Sequence, residues 1–267
     1  MASVREIYDC LDKKYPYCLQ ESYDNSGIMV DCGKDINKVV VSLDITNAVV
    51  KYASSVGADL ILSHHPVIFR PIKRVENDSA VFNLIANGIS AISAHTNFDI
   101  ADGGVNDALA SKLGLQNITP VFKISESLVN GTLRENYIGR AGELGEELSP
   151  RDFALYVGER LLGRQAVEYV KGNRPVKKVA VGGGACGEFV FECKRYGIDA
   201  FVTGEAKHHE MIYAAENGIT LMAAGHYATE NVALENLAET LREGFPNLAV
   251  EVTRIDYPLK YTHWVID

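Results

Sequence analysis

Short apolar runs and stretches of periodic polarity alternate along this chain. Val39-Val40-Val41-Ser42-Leu43 is a compact apolar run, the form expected of a strand covered on both faces. The pattern then predicts a helix from about Asn47 to Ser55 and a second strand, Asp59-Leu60-Ile61-Leu62-Ser63, ending at His64-His65-Pro66. A further helix, roughly Ser79 to Asn87, leads through Gly88 into a third strand, Ile89-Ser90-Ala91-Ile92-Ser93. That strand ends at Ala94-His95-Thr96-Asn97-Phe98-Asp99.

The same order returns later. Lys178-Val179-Ala180-Val181 enters Gly182-Gly183-Gly184, and a helix is predicted over about Glu188 to Tyr196. Asp199-Ala200-Phe201-Val202-Thr203 is the next strand, followed by Gly204-Glu205-Ala206-Lys207-His208-His209. A helix to Glu216 precedes Asn217-Gly218, the strand from Ile219, and Gly225-His226-Tyr227-Ala228-Thr229-Glu230. Asn87-Gly88-Ile89-Ser90 answers Asn217-Gly218-Ile219-Thr220, and each leads to a strand, a histidine, and a carboxylate four residues on. Earlier in each unit a Gly-x-Asp strand start, at Gly57 and Gly197, leads to a His-His pair, at an offset of seven residues in one and eleven in the other. Asn-Gly before a strand is ordinary turn chemistry, but recurrence in the same order predicts an internal duplication.

The expected architecture is therefore α/β, with two similar lobes. Residues 1–125 form the first, completed by 245–267, and 126–244 form the second, with approximate bounds. Lys123 to Arg134 and Gly139 to Leu144 read as a polar connection with no room for a separate domain. Past Glu230, Asn231 to Arg242 reads as a helix and Ala249-Val250-Glu251-Val252-Thr253 as a strand. If the helix starts at Thr229, Glu230 sits in its first turn, where a carboxylate is favoured. Ligands of open α/β sheets gather at the C-terminal strand ends, where these histidines and carboxylates fall.

Composition narrows the class. A chain of 267 residues with 47% apolar content can bury a sizeable core without crosslinks. A formal net charge of -9 argues against a duplex nucleic-acid partner, which needs a basic face. Met1 to Glu6 has no apolar targeting core and no later run is long enough to span a bilayer, so a cytoplasmic protein is expected. Cys10, Cys18, Cys32, Cys186 and Cys193 form no close metal-binding pair and are expected to be reduced.

Six of the seven histidines fall at four strand ends: His64 and His65, His95, His208 and His209, and His226. Imidazole with carboxylate suits zinc, iron, manganese or cobalt, and a carboxylate can bridge two ions. His95 with Asp99, and His226 with Glu230, each offer one nitrogen and one oxygen. His64 and His65 are adjacent and can diverge toward two ions, with Pro66 stiffening the exit. Taken singly, each histidine is a loop residue bonded to backbone and each carboxylate a solvated one; the repetition sets them apart. His208 and His209 are candidates for contact with substrate or with the ligands, or equally for plain helix packing. Glu205 is a candidate acid or base, or a helix cap. His263, beside Trp264, reads as structural. Arg70, Lys73 and Arg74 can meet a phosphate or simply be surface charge. Gly182-Gly183-Gly184 lacks the phosphate-loop and dinucleotide fingerprints, so no nicotinamide cofactor is inferred. No serine nucleophile elbow or cysteine–histidine motif is present.

Over nearly the whole chain the sequence resembles the NIF3-like family, also labelled type 2 GTP cyclohydrolase 1 homologues. The resemblance begins at Glu21-Ser22-Tyr23-Asp24-Asn25-Ser26-Gly27-Ile28 and Leu43-Asp44-Ile45-Thr46. Its most diagnostic pieces are Ser63-His64-His65-Pro66, Ser93 to Asp99, Thr203-Gly204-Glu205 and Gly225 to Glu230. It implies a dinuclear metal site on His64, His65, His95, Asp99, His226 and Glu230, two intertwined α/β lobes, and a toroidal homohexamer. Some relatives carry an inserted domain between the lobes, for which this chain has no room, and Tyr23 stands where a tryptophan is common. The leading functional expectation is metal-dependent hydrolysis of a small phosphorylated or nucleotide-like substrate, with Glu205, His208 and His209 as candidate catalytic groups. The alternative is a non-catalytic metal-binding, metal-handling or regulatory assembly protein. Nucleic-acid binding ranks third.

Overall fold

The computed structural model describes residues 2–163 and 167–253. His263 and Trp264 lie outside the described residues. In chain order the elements are α1 (Val4–Lys14), β1 (Gly27–Val30), β2 (Lys38–Ser42), α2 (Asn47–Ser55), β3 (Leu60–Ser63), α3 (Ala80–Asn87) and β4 (Ser90–Ser93). Then come α4 (Thr96–Ile100), α5 (Val105–Lys112), β5 (Gln116–Val129), β6 (Thr132–Leu148), α6 (Pro150–Leu162), β7 (Glu168–Val170) and β8 (Val176–Gly182). The chain continues with α7 (Val190–Cys193), β9 (Ala200–Thr203), α8 (His208–Glu216), β10 (Thr220–Ala223), α9 (His226–Glu230), α10 (Leu234–Gly244) and β11 (Ala249–Val252).

These elements divide into two compact units. One holds residues 2–104, 126–134 and 233–253, and the other the described residues of 105–125 and 135–232. This division cuts the chain elsewhere than the approximate bounds expected from the sequence. Residues 105–115 pack their apolar side, Leu109, Ala110, Leu113 and Leu115, into the core of the second unit. The helix α10 and strand β11 go to the first, because β11 pairs with β2 in parallel, Ala249 opposite Lys38 through Val252 opposite Val41.

In the first unit the sheet order is β1-β4-β3-β2-β11. Four strands are parallel, and β1 is an antiparallel edge. The registers bring Ser42, Ser63 and Ser93 level at the C-terminal ends of β2, β3 and β4. Every residue of β3 and β4 is buried, which is why the sequence there is free of charged residues, with only the small Ser63, Ser90 and Ser93 among the apolar positions. Helix α1 covers this unit with a stripe of Val4, Ile7 and Leu11, and is capped by Ser3 and Glu6 in a reciprocal box.

The strands of the second unit, with the 126–134 tip of β5 and β6 counted in the first, follow the order β5-β6-β8-β9-β10-β7. Strands β8, β9 and β10 are parallel, with Gly182, Thr203 and Ala223 level at their ends. The polar connection of the sequence is in fact the long hairpin of β5 and β6, of 14 and 17 residues. It joins the sheet through β6, which runs antiparallel to β8 with Arg140 opposite Val181.

The two units repeat a local device as well as an order. Asp59 Oδ2 accepts from the amides of Asn37 and Lys38 at 2.8 and 3.2 Å, fastening the start of β2 to that of β3. Asp199 Oδ2 accepts from Lys177 and Lys178 at 3.2 and 2.8 Å, doing the same for β8 and β9. Both aspartates are the Gly-x-Asp residues of the sequence repeat. Among the described residues no helix is long and apolar enough to cross a membrane.

Candidate metal-ligand sets

In the first unit the candidate ligands hang from the ends of two neighbouring strands. The ladder continues one step past β3, where the His64 amide donates to Ser42 O and the His65 amide to Leu43 O. This fixes the backbone of both histidines directly after four buried residues. Beyond β4, Ala94 N–H donates to Ser63 O and the chain turns at His95, the N-cap of α4. Asp99 then lies one turn into that helix, its amide on His95 O at 3.0 Å.

The rings of His64, His65 and His95 converge. Their centroids are 4.9 Å (His64–His65), 5.2 Å (His64–His95) and 5.5 Å (His65–His95) apart. One nitrogen from each lies within 4.8 Å of the others, the spacing of donors around an ion. His64 is 1% exposed, and its Nε2 stands 3.6 Å from Asp99 Oδ1. Each ring is held from behind at Nδ1: His64 by Ala94 O at 2.8 Å, His65 by Asp44 Oδ1 at 2.8 Å, and His95 by Asp24 Oδ1 at 2.7 Å.

Asp24 is the centre of a small network. Its side chain has no exposure, and it accepts from Ser26 Oγ at 2.8 Å and from the amide and hydroxyl of Thr96 at 3.1 and 2.6 Å. Burial acts to raise its pKa. The hydrogen bond and charge of His95, with the hydroxyls of Thr96 and Ser26, outweigh burial and hold the carboxyl well below the usual carboxylate range.

The second unit carries the repeat of this arrangement. Gly225, at φ 92°, makes the sharp turn from β10 into α9, and its amide donates to Gly204 O at 2.9 Å. His226 opens α9 and Glu230 closes it, so Glu230 does not lie in the first turn of a helix running to Arg242. A break of 3₁₀ geometry at Asn231–Ala233 separates it from α10. His226 Nε2 stands 3.0 Å from Glu230 Oε2, and its Nδ1 is held by Glu205 Oε1 at 2.8 Å. Glu230 is 5% exposed, whereas the Glu205 side chain is 60% exposed.

Strand ends equate His64-His65 with Gly204-Glu205, each pair following the last residue of β3 or β9. The pair His208-His209, matched to His64-His65 by residue type, opens α8 instead with exposed side chains. There His209 stacks on Phe191, with centroids 6.1 Å apart and planes 16° apart. Arg70, Lys73 and Arg74 are exposed on the loop after Pro66, where Arg74 pairs with Glu76. None of the five cysteines forms a disulfide.

Sequence reasoning missed Asp24 and Asp44 as the groups behind His95 and His65. They lie 71 and 21 residues from those histidines, so no spacing signals the contact. The coarse chemical result is that the chain brings histidine and carboxylate side chains into clusters able to hold metal.

The chain is 32% identical over 246 residues to a GTP cyclohydrolase 1 type 2 homolog of Clostridium perfringens, covering 90% of this chain and 91% of that protein. It is 34% identical over 238 residues to one of Streptomyces coelicolor, covering 86% and 82%. Among solved structures it is similar to the Staphylococcus aureus hypothetical protein SA1388, with a TM-score of 0.87, 27% identity, and coverage of 97% of this chain and 99% of that one. A model of the Duf34/NIF3 (NGG1p interacting factor 3) family matches residues 2–259. With an α/β fold of NIF3-like architecture and a family match over nearly its whole length, the chain belongs to the Duf34/NIF3 family.

Proposed function

We propose that the protein is a metal-dependent hydrolase holding a pair of divalent transition-metal ions through His64, His65, His95, Asp99, His226 and Glu230. One observation carries the reading: all four histidines are held at Nδ1, three by carboxylates and one by a backbone carbonyl. That arrangement sets the tautomer with Nε2 as the ligating nitrogen and raises its basicity, as is usual for metal-bound histidine. Four such rings, each held from behind and three of them converging, fit ligation better than packing alone. The donor set of imidazole and carboxylate fits zinc, iron, manganese or cobalt.

When bound, such a pair supplies a coordinated water of lowered pKa and polarises a substrate oxygen. The chain's own part is to orient and to balance charge. Asp24, Asp44 and Glu205 fix the rings of His95, His65 and His226, while the buried Asp99 and Glu230 supply the negative charge that two cations require. The substrate class we propose is a small nucleotide-like or phosphorylated molecule. The name shared by the relatives of Clostridium perfringens and Streptomyces coelicolor favours a purine nucleotide, and the exposed Arg70 and Lys73 put cations a few residues past His65.

The test is metal content per chain in protein purified without added metal or chelator, with Glu230→Ala alongside, followed by turnover of GTP and phosphate esters with and without chelator. About two ions per chain, clearly reduced in the variant, with metal-dependent turnover, is the expected result. Metal retention with no hydrolysis across the panel would replace the enzyme by a metal-handling or regulatory protein. No retained metal even after reconstitution would overturn both.

A further inference from the structure

The glycine run Gly182-Gly183-Gly184 matched no phosphate or dinucleotide motif, yet it lies directly against two of the ligand side chains of the second unit. Gly184 adopts φ +63°, the left-handed region. A Cβ added there would fall within the van der Waals envelope of Glu230 Oε1 and 3.1 Å from both Glu230 Cδ and His226 Nε2. The α-carbon of Gly184 is thus the wall against which the Glu230 carboxylate and the ligating edge of His226 rest.

That wall cannot retreat. Gly183 N–H donates to the buried Asn106 Oδ1 at 2.8 Å, and Gly184 N–H donates to Thr229 Oγ1 at 3.0 Å. Gly184 O accepts from the amides of Gly204 and Glu205 at 2.9 and 3.0 Å and from Thr203 Oγ1 at 3.2 Å. One glycine is therefore bonded both to the residue before Glu230 and to the residue that holds His226. In the first unit the His64 amide meets Ser42 O, level with Gly182; here the Gly204 amide meets Gly184 O, two residues farther on. The glycine bulge belongs to the second unit alone.

We infer that Gly184 is a positioning residue for metal: it fixes the place of Glu230 and His226 and leaves room there that only a residue without a side chain can leave. The inference rests on the metal reading above. A methyl group at this position meets the far end of a glutamate side chain, which can swing aside at little expense to the fold. The carboxylate is then displaced from the position in which it meets an ion.

The experiment uses the full chain stripped of metal, reloaded with zinc and desalted, with zinc content and thermal melting measured together. Gly184→Ala is compared with Gly197→Ala, since Gly197 has φ +65° and open space around its Cβ position. The two variants carry the same backbone strain, and only the first crowds the ligands. The expected result is that both melt close together while Gly184→Ala retains about one zinc ion fewer per chain than Gly197→Ala. Equal zinc in the two variants would overturn the positioning role. So would a Gly184→Ala chain that melts far below Gly197→Ala, which would make the glycine a requirement of folding. The parent chain is read before either variant: if it takes up no zinc the comparison is made with iron, manganese or cobalt, and uptake of none of the four would sink the metal reading itself.

Discussion

The carboxylate of Asp24 meets Nδ1 of His95 at 2.7 Å, joining the segment before β1 to the turn after β4. The contact sets the ring's tautomer, and the same carboxylate holds Ser26 and Thr96, so its loss should be felt in metal affinity as well as in folding. For Asp24→Asn, which keeps the size and removes the charge, zinc affinity should fall about 10–100-fold. Competition against a chelating dye would read it. An unchanged affinity would mean that the contact serves only to fasten the chain segment.

Core positions and surface positions of the same residue type should separate cleanly. Ile61 on β3 is fully buried among Val40, Val49, Leu84 and Ala91, whereas Ile85 on α3 is 55% exposed. Ile61→Ala should cost about 2–5 kcal/mol in denaturant unfolding, from lost burial and the cavity left behind. Ile85→Ala should stay within about 0.5 to 1 kcal/mol. Comparable losses would place Ile85 under cover in the working form of the protein.

The cap of α1 should respond to acid. The Ser3 amide, and after it the Ser3 hydroxyl, hold the Glu6 carboxyl below its ordinary value of 4.5. A carboxyl with a depressed folded pKa adds stability above the unfolded value, and that stability is lost as pH falls through the folded one. Glu6→Gln preserves the capping geometry without the charge. The melting-temperature gap between parent and variant should be open near about pH 6 and should narrow as the pH falls below the ordinary carboxylate range. A gap that persists in acid would assign the cap to neutral hydrogen bonding.

Cysteine reactivity gives an independent check on packing. Burial pushes the Cys193 thiol well above the ordinary thiol range, with the neighbouring Glu192 charge adding to it, while Cys18 is exposed. The thiolate is the reactive form. Iodoacetamide at mildly alkaline pH should label Cys18 in the native chain and reach Cys193 only after unfolding, as mass spectrometry of peptides would show. Early labelling of Cys193 would mean that the second unit opens at that helix.

The strands that lead to the candidate ligands were legible because they are buried on both faces, and such strands leave short, mostly apolar runs without charge. The histidines and the carboxylates four residues on were legible because a short helix follows each strand, so spacing and geometry coincide. The β5–β6 hairpin was not. Much of β5 is exposed, and β6 is held by its pairing with β8, some forty residues away in sequence, so no local pattern reports it. The same holds for Asp24 and Asp44, whose roles depend on contacts across the sheet. The histidine pairs show the opposite hazard. Residue type matched His208-His209 to His64-His65, whereas backbone register matches Gly204-Glu205, and the second pair belongs to a helix start.

Of the four histidines, His64 alone is oriented by the backbone, through Ala94 O. A carboxylate can be removed by a single substitution; a main-chain carbonyl cannot. The orientation of His65, His95 and His226 is thus open to point mutation, while that of His64 is inherited from the alignment of β3 with β4. Drift in the coding sequence can remove the partner behind each of three rings one at a time, but the carbonyl behind the fourth moves only with the strands that carry it.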